Sequence, residues 1–524
     1  ITFTPDGAWK EYQSGIAFKQ SLPGGSLFDV TKENELFVLG NQWLNVNAPS
    51  LDKPTFNILK RVISYFVAMI SSDAIGVSVT PFNSISDDET KAKMQVIGAQ
   101  INEVLEENEF AALGKKFLRW CAIKGDCGLH IFFSPNEATG QASSGAVRFE
   151  IIQNINEYFG NPQSSDLEKQ PYIILSARKP LADVKKEALS RGQGVENIKA
   201  DSSETSGEST ENPVPLVTVL TKYEKDESGS VFVFKCTENA VIMPPTDTGY
   251  KLYPYARMSW EEVSSCCYGQ AAVTGLIPNQ IAVNKLHAMI LKHFKDLAFR
   301  KIVYDKTRIP AWNNEIGAIA VTGDVRDVVA AATDAPQLPP SIVPYLGEII
   351  DRTRDLMGAS DAALGNVRPD NTSAIIALQQ STAMPLDLQK RGYYEFCERC
   401  VRVSLDIIKT DYGMREVLVS DELGNESLQG FDFSSLEDVL LKLKVDIGES
   451  SYWSELRQVQ TLDSLKDRDI IDDEIYLELM PEGYIPGRNK IIAHIKERKQ
   501  RMQEMQAQEM QAQMPMGGGE ENVL

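Results

Sequence analysis

One run of residues, from Tyr268 to Thr410, constrains this chain more than any other. It opens on a long helical pattern, YGQAAVTGLIPNQIAVNKLHAMILKHFKDLAFRK. A compact strand-rich segment follows, IVYDKTRIPAWNNEIGAIAVTGDVRDVVAAATDAPQLPP. Then come a second helix, SIVPYLGEIIDRTRDLMG, and a polar loop, ASDAALGNVRPDN. The run ends in a helix from Thr372 to Thr410, about 58 Å long if straight at ~1.5 Å per residue. Pro278 suits the first turn of its helix. Pro385 lies inside the last helix and is expected to kink it. A helix of that length has to bridge two regions. A helix, a small inserted module, a returning helix and a loop feeding a kinked helix describe a mechanical part better than an enzyme pocket.

The rest of the chain is large enough for several structural units. Its 524 residues suggest two to four of them. Hydrophobic content of 43% and charged content of 24% are ordinary for a globular protein. No apolar run reaches the ~18–20 residues that span a bilayer. The nearest, NILKRVISYFVAMISSDAIGVSV, is broken by Lys60, Arg61, Ser64 and Asp73 and reads as a buried helix followed by a strand. The chain opens at Ile1 with neither Met nor a signal-peptide pattern, so a missing natural start is expected. The formal net charge of −20 argues against a DNA-coating protein, which needs clustered cations on the phosphates. It leaves open a protein that DNA passes without sticking, since a negative wall repels the backbone.

Around the opening run the chain reads as a mixed α+β protein. Residues 1–50 carry Phe3, Trp9, Tyr12, Phe18, Phe28, Phe37 and Trp43 and read as an arm packed on something else, such as a neighbouring subunit. Helices are expected over 54–72, DDETKAKMQVIGAQINEVLEENEF and AALGKKFLRWCAIKG, the last ended by Gly125. Strands are expected at 74–81, CGLHIFF, VRFEIIQ and PYIILSARKP, and again in VPLVTVLTKYEKD and GSVFVFKCTENAVIM. Between them, 192–212 is poor in apolar residues and reads as a mobile loop. Further on, VLLKLKVDI alternates as a strand, and the remainder reads as helices ending in a disordered tail, PMGGGEENVL.

Catalysis finds no support in the motifs. Four His are scattered, and His287 and His293 lie six apart on one helix, so they do not share a face. There is no HExxH, no GxSxG elbow, no GxGxxG, and no GxxxxGK followed by Ser or Thr. No metal or cofactor is expected. The acidic pairs Asp87-Asp88 and Asp472-Asp473 sit at helix starts, where capping explains them. Seven Cys, an odd number, fit reduced thiols. Cys397 and Cys400, three apart on a helix, read as packing residues. In the first central helix Ile281, Met289, Phe294 and Leu297 make a drifting apolar side. Lys285, Lys292, Lys295, Arg300 and Lys301 gather toward its far end, as a solvated basic face or as a cationic band near nucleic acid or an acidic partner. In the loop 359–371, Gly365, Asn366, Pro369, Asp370 and Asn371 are turn residues and Arg368 is the single cation.

The order of these pieces resembles the portal proteins, or head–tail connectors, of tailed double-stranded DNA bacteriophages. The residues that carry the resemblance are NILKRVISYFVAMISSDAIGVSV, WCAIKGDCGLHIFF, INEYFGNP, GYKLYPYARMSWEEVSSCCYGQAAVTGLIPNQIAVNKL, DLMGASDAALGNVRPDNTSAIIALQQ and IGESSYWSELRQVQTLDSLKDRDIIDDEIYLEL. It covers about residues 50–500 and departs from the family in the polar 192–212 insertion and the unplaced arm.

The resemblance implies an α+β portal-type fold with a mixed α/β wing, a two-helix stem, a small α/β clip, a long kinked wing helix and a helical crown. On this sequence the arm and wing are 1–260, the stem helices 268–300 and 341–358, and the clip 301–340. The tunnel loop is 359–371, the long helix with a wing strand 372–450, the crown 451–515 and the tail 516–524. It further implies a homo-oligomeric ring, commonly a dodecamer, at the virion's portal vertex, assembled in the host bacterial cytoplasm. The ring would pass double-stranded DNA without reading its sequence, during packaging and ejection. It would dock the terminase large subunit and then head–tail adaptors, and start assembly with scaffold and major capsid protein. The residues nearest DNA would be Asn366, Arg368 and Asn371 in the loop, with Lys285, Lys292 and Lys295 on the stem. The rival readings are another structural virion component, such as a minor capsid or head–tail joining protein, and an enzyme with a thiol nucleophile at Cys127 or Cys266.

Overall fold

The computed structural model of the protein describes residues 3–49, 51–71, 75–81, 88–141, 143–204, 214–297, 302–304, 330–332, 339–356, 384–420, 426–438, 441–447, 452–468 and 470–480, with 485, 488, 491–492, 494–496, 498–499 and 501.

The chain begins with two helices, α1 (Pro5–Gln20) and α2 (Leu27–Leu39). Thr4 starts α1: its Oγ1 accepts the Gly7 N–H at 3.1 Å, and Pro5 takes the first helical position, where it lacks only an amide that the helix would leave unpaired. Gly40 ends α2 in the left-handed region, φ 100°, which a residue without Cβ enters freely. Both helices pack on the body of their own chain. Phe3, Trp9, Tyr12 and Ile16 lie against Tyr158, Ile174, Leu220 and Phe234. Asn34 reaches the Ile123 carbonyl at 2.9 Å. The expectation that residues 1–50 pack elsewhere is therefore corrected. Their aromatics do report a buried interface, but its other side is the protein's own sheet.

Next come α3 (Ile58–Ile70), β1 (Ile75–Pro81), α4 (Asp88–Glu107) and α5 (Phe110–Lys124). α3 buries Leu59, Val62, Ile63, Phe66 and Ile70, the three- and four-residue spacing of one helical face. Gly125 separates α5 from β2 (Asp126–Ser134) at φ 96°. A Cβ there would meet the Gly269 carbonyl at 2.7 Å, so this turn is sealed against another strand of chain. β3 (Ala146–Gln153), β4 (Glu157–Phe159), β5 (Tyr172–Pro180), α6 (Leu181–Ser190), β6 (Ser202–Glu204), β7 (Val214–Lys225), β8 (Val231–Cys236), β9 (Val241–Asp247) and β10 (Tyr255–Ser259) follow. They form two antiparallel sheets, β10-β2-β3 and β4-β5-β7-β8-β9, with β6 added to β7. The 192–212 expectation is corrected in part. Ile198 is buried with Val184, Ala188, Val217 and Ile242, because two apolar residues in this polar stretch, Val195 and Ile198, are enough to seat it. Residues 205–213 lie outside the described residues.

The second half contains α7 (Ile277–Leu297), β11 (Ile302–Tyr304) paired with β12 (Ala330–Ala332), and α8 (Ile342–Leu356). A 3-10 turn at Met384–Leu386, around Pro385, leads into α9 (Asp387–Asp411). Of the long helix expected from Thr372, the stretch 372–383 lies outside the described residues. α9 runs through the core: Phe396 stacks on Phe117 at 4.0 Å, and Cys397 and Cys400 are fully buried on it. β13 (Met414–Ser420) and β14 (Glu426–Asp432) form a hairpin. β15 (Leu441–Ile447), the strand read from VLLKLKVDI, pairs antiparallel with β1, Ile447 opposite Ile75. α10 (Tyr452–Asp467) and α11 (Asp473–Leu479) complete a mixed α+β fold. Among the described residues no helix is long and apolar enough to cross a membrane.

Candidate functional site

The sequence pattern carries a helix back to Tyr268, but α7 begins at Ile277. The lead-in is held in another conformation. Tyr268 Oη donates to the Glu157 carbonyl at 3.0 Å, and the Gly269 N–H donates to both Asp126 oxygens at 2.9 and 2.8 Å. Gln270 bridges to Glu261, and a 3-10 turn at Thr274–Leu276 precedes the helix. These bonds take up backbone groups that a helix would otherwise use.

The first half of α7 is clamped to the body by amides. Gln280 and Asn284, four apart and so on one face, are 1% and 2% exposed. Gln280 Nε2 donates to the Phe56 carbonyl at 2.7 Å, and its Oε1 accepts the Ile58 N–H at 3.0 Å. Asn284 Oδ1 accepts from Gln280 at 3.1 Å and from the Phe56 N–H at 3.4 Å. Asn284 Nδ2 donates to Gln42 Oε1 at 2.6 Å, and Gln42 donates on to the Phe37 carbonyl at 2.8 Å. A side-chain amide carries both a donor and an acceptor, so it can pair with extended backbone as a strand would. The extended stretch before α3 is thereby fixed along α7, and the Phe56 ring stacks on His287 at 3.9 Å.

Beyond Ala288, which is fully buried, the helix is more exposed. Met289 is 65% exposed and Phe294 55%, and Leu291 is exposed as well. They are not on one side: five residues at ~100° each put Met289 and Phe294 on roughly opposite flanks. α8 packs beside α7 and buries Leu346 and Thr353, while Val343 and Tyr345 stay exposed. Lys285, in the clamped part of α7, and Lys292 and Lys295, beyond Ala288, all lie exposed within one broad arc. Lys295 Nζ pairs with Asp52 at 2.8 Å, and Lys285 rims a groove of about 680 Å³ floored by Leu36, Phe37, Trp43 and Ile281. Asn366, Arg368 and Asn371 lie outside the described residues, as does most of 301–340. The structure thus places the three lysines along one helix without joining them in one site.

A second cluster lies under the base of α7. Asp126, Glu157 and Lys19 are fully buried, and so is most of Arg257. Arg257 Nη2 donates to Asp126 at 3.0 Å and to Glu157 at 3.3 Å, and Tyr255 Oη donates to Glu157. Ser259 Oγ adds a bond to Asp126 at 2.6 Å. Burial pushes the Asp126 carboxyl up to about 6 against the pull of Arg257. Burial lowers Lys19 to about 7, against the opposing pull of Glu157. Burial also pushes the Cys127 thiol well up, and that of half-buried Cys266 up, so neither is primed as the thiolate that nucleophilic attack needs. None of these charged residues stood out in the sequence. A lysine in a short amphipathic helix reads as solvent-facing, and nothing in its spacing marks it as buried.

No protein-family model matches the chain, and no curated protein matches it.

Proposed function

We propose that the protein is a ring-forming portal subunit, the head–tail connector of a tailed double-stranded DNA bacteriophage. The observation that carries the reading is the α7–α8 pair. It is anchored at its base by buried amides, its connection contains the β11–β12 ribbon, and it exposes large apolar residues on more than one flank. A subunit of a closed ring has two different neighbours and so needs two different sticky flanks. Met289 and Phe294 on α7, and Val343 and Tyr345 on α8, are spaced to supply them. A lone monomer has no use for such exposure, which favours association.

In this reading α7 and α8 form the wall of a DNA channel, and the chain between them docks the terminase large subunit and later the head–tail adaptors. Scaffold and major capsid protein assemble around the outer body at the virion's portal vertex. The net charge of −20 suits a wall along which a duplex slides, and Lys285, Lys292, Lys295 and the loop residues Asn366, Arg368 and Asn371 supply sparse, sequence-blind phosphate contacts. The work is passage and docking, with no bond made or broken by this chain. Negative-stain images of the purified protein test the reading. Rings with a central hole are expected; dispersed monomers or sheets would point instead to a different structural component of the virion.

A further inference from the structure

α1 buries two residues fully, and one of them is a lysine. Ala8 sits on the apolar patch of the larger sheet, and Lys19 enters the charge cluster under α7. Lys19 Nζ donates to the Asn154 carbonyl at 2.6 Å and lies 3.7 Å from the centre of the Tyr158 ring and 5.0 Å from that of Tyr268. Of the groups it touches, Tyr268 belongs to the lead-in to α7, and Asn154 and Tyr158 flank Glu157, which helps to seat that lead-in. Tyr268 is held by the Glu157 carbonyl and Gly269 by the Asp126 carboxylate, while Arg257 grips both carboxylates and, through Nη1, the Cys267 carbonyl. Arg257 faces both Asp126 and Glu157, and Lys19 closes the site from the side of α1. If α1 lifts, Arg257 alone remains against both carboxylates, Tyr268 loses its cover, and the site opens to water. The seat itself is tight: a Cβ on Gly269 would meet the Glu261 carbonyl at 2.5 Å.

We infer that α1 is a strap whose docking sets the footing of α7: Lys19 ties the arm to the buried cluster that holds residues 267–270, so docking of the arm and seating of the helix are one coupled equilibrium. Coupling of this kind is reciprocal. Loosening the arm loosens the footing, and disturbing the footing loosens the arm. This inference stands on contacts within one chain and does not rest on the ring.

Hydrogen exchange followed by mass spectrometry on the full-length protein tests both directions. Ala8→Glu puts a charge on the apolar seat of α1 and leaves the charge cluster chemically intact. It is expected to speed exchange about tenfold or more in 5–20 and, with it, in 268–284, while the β13–β14 hairpin keeps its protection. Gly269→Ala disturbs the footing and is expected to speed exchange in 5–20, which it does not touch. If α1 opens in Ala8→Glu while 268–284 stays protected as in the wild type, or if Gly269→Ala speeds exchange in 268–284 and leaves 5–20 unchanged, the coupling is overturned. The second variant keeps the test open should the first fail to fold.

Discussion

At the scale of single residues, polar side chains placed deep inside carry the specificity of this fold. Gln280 satisfies the Ile58 N–H and the Phe56 carbonyl at once. Gln280→Ala removes two bonds and leaves the Ile58 N–H and the Phe56 carbonyl only the bond they make to each other at 2.9 Å, a loss of about 0.5–1.5 kcal/mol for each bond removed. Thermal unfolding should show a clear loss for this variant beside half-buried Asn279→Ala; equal losses would mean the amide clamp contributes little. Lys19 makes a pH prediction. Desolvation holds it at about 7, below its ordinary 10.5, so between those values the unfolded chain binds the proton that the fold has released. Its contribution is therefore greatest above about 10.5 and is lost as pH falls from there to about 7. The melting temperature of the wild type, minus that of Lys19→Met, should rise from pH 7 to pH 9. A constant or falling difference would show that the buried amine keeps its proton throughout. Residues of this kind are hard to read in a sequence, because burial of a lysine or glutamine is decided by distant parts of the chain. Cys397 and Cys400 were legible because their helix spacing alone puts them on a packed face.

At the scale of elements, the strongly periodic segments were read well and the lead-ins were not. α3, α5, β2, β5 and α8 lie where apolar spacing and glycine or proline punctuation put them. α7 was read nine residues too long because 268–276 has helix-compatible composition, and only the bonds to Asp126 and Glu157 pull it away. The arm and the 192–204 stretch were misjudged for a common reason. Composition reports how much apolar surface a segment has, but not where its partner lies. The outer part of α7 also has a testable role. Met289→Glu with Phe294→Glu puts charge on both exposed flanks, where the isolated subunit loses little packing. The double variant should melt within a few degrees of the wild type and fail to associate. Wild-type assembly in that variant would show that the exposed apolar residues serve something other than subunit contact.

At the scale of the whole molecule, the parts make sense together as a structural device. A mixed α+β body holds one helix pair by its base, an N-terminal strap lies beneath that base, and the surface carries a net charge of −20. The legible core of this account is the order of helix, small ribbon, helix and long helix. Arg368 and its neighbours lie outside the described residues, and their contact with DNA belongs to the proposal of a ring. A closed ring and a free subunit differ most plainly in mass, so the mass of the purified particle decides between them. A single species is expected at a fixed whole-number multiple of 58.2 kDa, large enough to close a ring and unchanged on dilution. A species that stays at 58.2 kDa across the accessible concentrations would contradict it.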